Sequence, residues 1–109
     1  MSSRPEHAAP ELLIVATGTL SEGTQAQARA LLAEMQGTAL QEPGCLRYEA
    51  RIDADQLVMI ERWADAAAFE QHTGTTTFAR LVPALKSLMA EGVLHADIVS
   101  VQDRQALVI

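Results

Sequence analysis

The chain has 109 residues, 49% of them apolar and 20% charged, which is enough for one core and too few for two. A formal net charge of −6 without a Lys/Arg cluster opposes binding to phosphate backbones or anionic lipid, and leaves a small organic ligand as the open class. Cys45 is the single cysteine, so no intramolecular disulfide can form and the expected compartment is the cytoplasm.

The opening residues, MSSRPEHAAPE, hold two prolines and no apolar leader. Residues 1–11 read as a frayed tail with a solvated His7, ahead of one domain over 12–102 and a C-terminal extension over 103–109. Leu12 to Leu20, LLIVATGTL, is a β-branched run closed by Ser21 and Gly23, and it predicts the first strand. From Thr24 the spacing becomes helical, with Ala28, Leu31, Leu32, Met35, Ala39 and Leu40 on one side. Ser21 or Thr24 suits the cap, and Pro43 in QEPG suits the stop.

Cys45 to Ile52 alternates Leu46, Tyr48, Ala50 and Ile52 against Arg47, Glu49 and Arg51, and DADQ turns the chain into a partner strand over Leu57 to Trp63. Asp65 is placed to cap AAAFEQH, and TGTTT interrupts before a second helical piece, FARLVPALKSLMAEG. Pro83 predicts a kink in that piece and Gly92 its stop. VLHADIVSV supplies the last strand. The order βαββαβ is that of a ferredoxin-like α+β sandwich, four antiparallel strands with the helices on one face. LLIVA and LVMI are apolar on both strand faces, so a second copy is expected to cover the bare side of the sheet.

The stretches EPGCLRYEARID, LVMIERWADAAAFEQH and TFARLVPALKSLM resemble the antibiotic biosynthesis monooxygenase family, and the likeness runs from the first strand to the last. The resemblance implies a dimeric α/β barrel, with sheets back to back in a homodimer and a pocket between helices and sheet in each subunit. It does not fix one reaction. The branch that oxidises aromatic polyketides would place pocket groups at Tyr48, Met59, Trp63, Phe69 and Pro83, and only Tyr48 and Trp63 keep its residue types. The haem-degrading branch would need Asn, Trp and His at Ala16, His72 and Val82, and has none of them. The small-quinol monooxygenases share the Glu-Arg-Trp end of the third strand and a histidine in the helix that follows.

His72 falls near the end of that helix, beside a threonine-rich break, and an imidazole suits a general base. The same place also suits a histidine that caps helix carbonyls. Trp63 shares strand parity with Met59 and Glu61, so it lines the pocket or fills the dimer core. Tyr48 stands on the apolar face of its strand, where its hydroxyl could orient a substrate oxygen. Phe69 and Phe78 complete an apolar wall. Glu61 and Arg62 point to opposite faces, and Arg62 is expected to pair with a carboxylate such as Glu49 on the neighbouring strand. Cys45 reads as a small buried hydrophobe and His95 as a structural residue of the last strand.

No G-x-G-x-x-G, P-loop, H-E-x-x-H or C-x-x-C pattern occurs, so no cofactor and no metal are expected. A quinol is electron-rich enough to reduce dioxygen itself once a base removes a phenolic proton. The expected function is therefore cofactor-independent oxidation of a small aromatic quinol or phenol by dioxygen. An isomerase acting through an enol on a small carbonyl compound, and a non-catalytic ligand-binding barrel, are the alternatives. The last of these predicts a His72 without a hydrogen-bond partner.

Overall fold

The computed structural model describes residues 9–109, so His7 and most of the expected tail lie outside the described residues. The elements are β1 (Glu11–Thr19), α1 (Gln25–Ala39), β2 (Cys45–Asp53), β3 (Gln56–Trp63), α2 (Ala66–Thr73), α3 (Thr76–Lys86) and β4 (His95–Val101). The strands form one antiparallel sheet in the order β2-β3-β1-β4. This is the ferredoxin-like α+β arrangement, with the second helical layer in two pieces. Among the described residues no helix is long and apolar enough to cross a membrane.

Strand alternation decides what each face carries. In β3, Leu57, Met59, Glu61 and Trp63 are buried, whereas Gln56 and Val58 are exposed and Ile60 and Arg62 half-buried. In β1, Leu12, Ile14 and Ala16 are buried, and Leu13 and Val15 are half-buried on the other face. The buried set packs under Ala28, Leu32 and Met35 of α1 and under Leu81 and Leu85 of α3. Each fully buried leucine there stabilises the fold by about 1.5–3 kcal/mol.

Three local expectations are corrected. Leu46 does not share the buried face of Tyr48, because a bulge between Cys45 and Arg47 inserts it as an extra residue and leaves it 49% exposed. Arg62 does not pair with Glu49. Its guanidinium forks onto both oxygens of Glu11 at 2.9 Å, while Glu49 is taken by Arg47 at 3.0 Å. The last helix does not reach Gly92, since after Lys86 the backbone turns to bond the end of β1 instead: Ala90 N–H donates to the Thr19 carbonyl at 2.7 Å and Ser21 N–H to the Leu88 carbonyl at 2.8 Å. The helix runs continuously through Pro83 before that point.

α1 ends at Ala39, short of Pro43, and the QEPG turn brings the chain to Gly44 at φ +80°. There a Cβ would lie 2.5 Å from the Cβ of Ala68 in α2, so this turn is pressed directly against the helix that carries His72. Gly44→Ala should therefore combine left-handed strain, about 1–2 kcal/mol, with a steric conflict of about 1–3 kcal/mol. Gly23→Ala, at φ +79° with nothing within 4 Å, carries the backbone strain alone. Chemical denaturation of both variants should show the larger loss at Gly44, and equal losses would refute the contact.

Candidate functional site

His72 is set by the caps around it. Asp65 opens α2 by accepting from Ala68 N–H at 2.8 Å. At the other end the Thr75 hydroxyl donates to the His72 carbonyl at 2.9 Å and also accepts from Phe78 N–H at 3.1 Å, where it starts α3. The His72 side chain takes no part in this capping; it turns inward to Glu42 and is 7% accessible. The ring's Nδ1 lies 2.7 Å from Oε1 of Glu42 in the QEPG turn, and its Nε2 lies 3.9 Å from Oε1 of Glu61 on β3. A carboxylate at Nδ1 selects the tautomer with the proton there, which leaves the Nε2 lone pair directed at the interior.

The chain has two phenylalanines, one tyrosine and one tryptophan, and all four surround this one imidazole. Ring centroids are 4.5 Å away for Trp63, 5.3 Å for Phe78, 5.9 Å for Tyr48 and 6.3 Å for Phe69. Trp63 is tilted over the ring face, and Phe78 and Tyr48 meet it edge-on. The five residues singled out in the sequence thus form one cluster, built from β2, β3, α2 and α3.

The polar groups in that cluster are held under tension. Trp63 Nε1–H donates to Glu61 Oε1 at 3.0 Å. Burial pushes the Glu61 carboxyl above the usual glutamate range and Glu42 adds to the push, while the indole N–H and the His72 ring act in the other direction. Burial also pushes the Tyr48 phenol strongly upward, reinforced by the carboxylates of Glu61 and Glu42, so it stays protonated. Among the described residues its hydroxyl is the one buried side-chain polar atom without a hydrogen-bond partner. Such a group is costly to bury and marks a place where a ligand oxygen can sit.

The cavity that these groups face has a volume of about 230 Å³. Tyr48, Glu61, Phe69, His72 and Phe78 line it, with Met35, Met59 and Val82 among the apolar residues that complete it. Lys86, the chain's single lysine, stands on the same wall. Trp63, expected on the wall or in a dimer core, is in neither place: it is fully buried on the helix-covered side and lies one layer behind the cavity, with His72 between. The volume falls below the roughly 300–1,000 Å³ of pockets for drug-sized ligands, which suits one or two fused rings better than a polyketide.

Glu42 and Lys86 were not singled out in the sequence, and Glu61 was assigned only a face. Glu61 had a usable signal, a carboxylate in phase with Leu57, Met59 and Trp63 on a buried strand face. Glu42 had none, because it sits in a turn where an acidic residue is ordinary. Cys45 lies at the margin of the site, its thiol pushed up by burial and by Glu42 and Glu61, which disfavours a thiolate nucleophile. His95 is exposed at the far end of the sheet, opposite Thr17.

A four-stranded antiparallel sheet with a small cavity under its helices defines the ferredoxin-like α+β class. The chain belongs to the antibiotic biosynthesis monooxygenase family, which it matches over residues 12–84. Among solved structures, PA3566 from Pseudomonas aeruginosa is 29% identical, with a TM-score of 0.75 over 92% of this chain and 99% of that one. A protein described as an antibiotic biosynthesis monooxygenase is 27% identical, with a TM-score of 0.75 over 82% and 96%. SnoaB, a cofactor-independent oxygenase from Streptomyces nogalater, is 22% identical with a TM-score of 0.75 over 91% and 98%, a likeness of fold. No curated protein matches by sequence.

The raised pKa of Glu61 has a sign that can be measured. A proton held more tightly when folded stabilises the protein below the ordinary glutamate range, and that contribution is lost as pH rises through the raised value. Glu61→Gln keeps an acceptor for the Trp63 N–H and removes the titration. It should melt above the wild type near neutral pH, with the gap closing on acidification; a gap independent of pH would contradict the assignment.

Proposed function

We propose that the protein is a cofactor-independent monooxygenase that oxidises a small aromatic quinol or phenol with dioxygen, and that it works as a cytoplasmic homodimer joined through its sheet faces. The observation that carries this is a buried imidazole with Nδ1 fixed by Glu42 and Nε2 open towards a small apolar cavity. In this reading His72 is the base that takes the phenolic proton, and Glu42 holds its tautomer and stabilises the imidazolium that forms. Tyr48 orients a substrate oxygen with the hydroxyl that has no protein partner. Phe69 and Phe78 hold the substrate ring, and Trp63 backs the imidazole.

The electrons come from the substrate. Oxidation of the quinol to the quinone level releases two, and conversion of a ring C–H to C–OH releases two more. Together they reduce one dioxygen, of which one atom enters the ring and the other leaves as water. SnoaB, described as a cofactor-independent oxygenase, supports the reading by fold, as does the family itself. A cavity lined mainly by apolar side chains favours electron transfer from the phenolate, because few polar groups stabilise its charge.

His72→Ala should lower kcat for a dihydroxynaphthalene by about a hundredfold or more and leave folding intact, as circular dichroism would show. Full activity in this variant would reject His72 as the base. Substrate conversion without oxygen uptake would point instead to the enol isomerase.

The dimer has its own support. Leu13, Val15 and Ile60 form a half-buried stripe on the open sheet face, with Val58 and Val99 exposed beside it. Light scattering at micromolar concentration should give twice the monomer mass, and Val15→Glu should shift the protein to monomer. A folded wild-type monomer would remove this part of the reading.

A further inference from the structure

We propose that Glu61 is the proton donor to reduced dioxygen, passing a proton from its carboxyl to the distal oxygen of a ring-bound peroxide and recovering one from the ring carbon. The inference rests on the oxygenase reading and goes beyond it by giving the reaction a second proton-transfer group.

His72 offers the cavity one nitrogen, because its Nδ1 is closed by Glu42 at 2.7 Å. That nitrogen serves the phenolic oxygen, whereas the distal oxygen of the peroxide is borne on a different ring carbon and is met by a second group on the cavity wall. Tyr48 is a poor acid, because burial holds its phenol firmly protonated. Lys86 stands at an exposed position at the end of α3. The Glu61 carboxyl is on the cavity wall with 8% of its side chain accessible, and Oε1 is occupied by the Trp63 N–H at 3.0 Å. Among the described residues no hydrogen bond reaches Oε2, which leaves that oxygen to carry a proton towards the cavity. Burial favours the neutral acid, and the two groups stand 3.9 Å apart at Nε2 and Oε1, so they address one bound substrate from adjacent positions.

The steps balance. His72 takes the phenolic proton, and the phenolate gives two electrons to dioxygen as a carbon–oxygen bond forms. Glu61 protonates the distal oxygen to give the hydroperoxide. The Glu61 carboxylate then removes the proton from the same ring carbon, whose C–H electron pair becomes the second bond of C=O as the O–O bond breaks. The departing hydroxide takes the proton held by His72 and leaves as water. Both side chains return to their starting states, and the product is the hydroxyquinone or its tautomer.

The test compares wild type, Glu61→Gln and Glu61→Asp on a dihydroxynaphthalene under isotope-labelled dioxygen, with label incorporation, oxygen uptake and hydrogen peroxide measured together. Glu61→Gln should form labelled hydroxyquinone about a hundredfold more slowly and divert the oxygen it consumes into hydrogen peroxide and unhydroxylated quinone. Glu61→Asp should restore part of the coupling. Unchanged coupling in Glu61→Gln, whether the rate is kept or lost, overturns the inference, since a residue that only shapes the cavity slows the reaction without releasing peroxide. A wild type that incorporates no label overturns the oxygenase reading itself.

Discussion

The hydrogen bond between Glu42 and His72 is the contact on which the arrangement of this site depends. An imidazole with 7% accessibility, enclosed by four aromatic rings, has little contact with bulk solvent, and its Nδ1 takes its partner from the protein. That partner comes from the turn that ends α1, thirty residues earlier in the chain. Its position is fixed in turn by the close approach of Gly44 to Ala68, which lets the turn lie flat against α2. The backbone geometry of a loop and the tautomer of a histidine are thus one constraint.

The rest of the polar network is arranged around the same ring. Glu61 approaches Nε2 from the sheet and is itself steadied by Trp63, so the indole has two jobs, packing its face on the imidazole and directing its N–H to the carboxylate. Buried networks of this kind are costly when incomplete, and this one is incomplete at the Tyr48 hydroxyl. An apolar core of the same volume would avoid that cost. The position of that hydroxyl, on a cavity wall beside the imidazole, is what supports the proposed binding site.

Much of the fold was legible because the two periodicities are distinct in this chain. The alternation in ARIDADQLVMIERW and the helical spacing from Ala28 to Leu40 each admit one element type. Boundaries failed where long-range backbone bonds decide them: nothing in SLMAEG announces that Leu88 and Ala90 will bond to the end of β1. The Cys45–Arg47 bulge and the Arg62–Glu11 pair failed for the related reason that register between distant strands is not written locally. Of the site, the side chains of unusual chemistry stood out, His72, Trp63 and Tyr48 among them. Of the carboxylates that tune them, Glu61 carried a signal in its phase with Leu57, Met59 and Trp63, whereas nothing marks Glu42 among fourteen acidic residues.

The single tryptophan has an optical consequence. Its ring lies 4.5 Å from His72, tilted by 32°, and no other indole in the protein emits. A cationic imidazole in van der Waals contact quenches indole emission far more than a neutral one does. The intrinsic fluorescence of this protein therefore comes from one layer behind the cavity and reports the charge on the imidazole, so the state of the site can be followed with no label and no substrate chromophore.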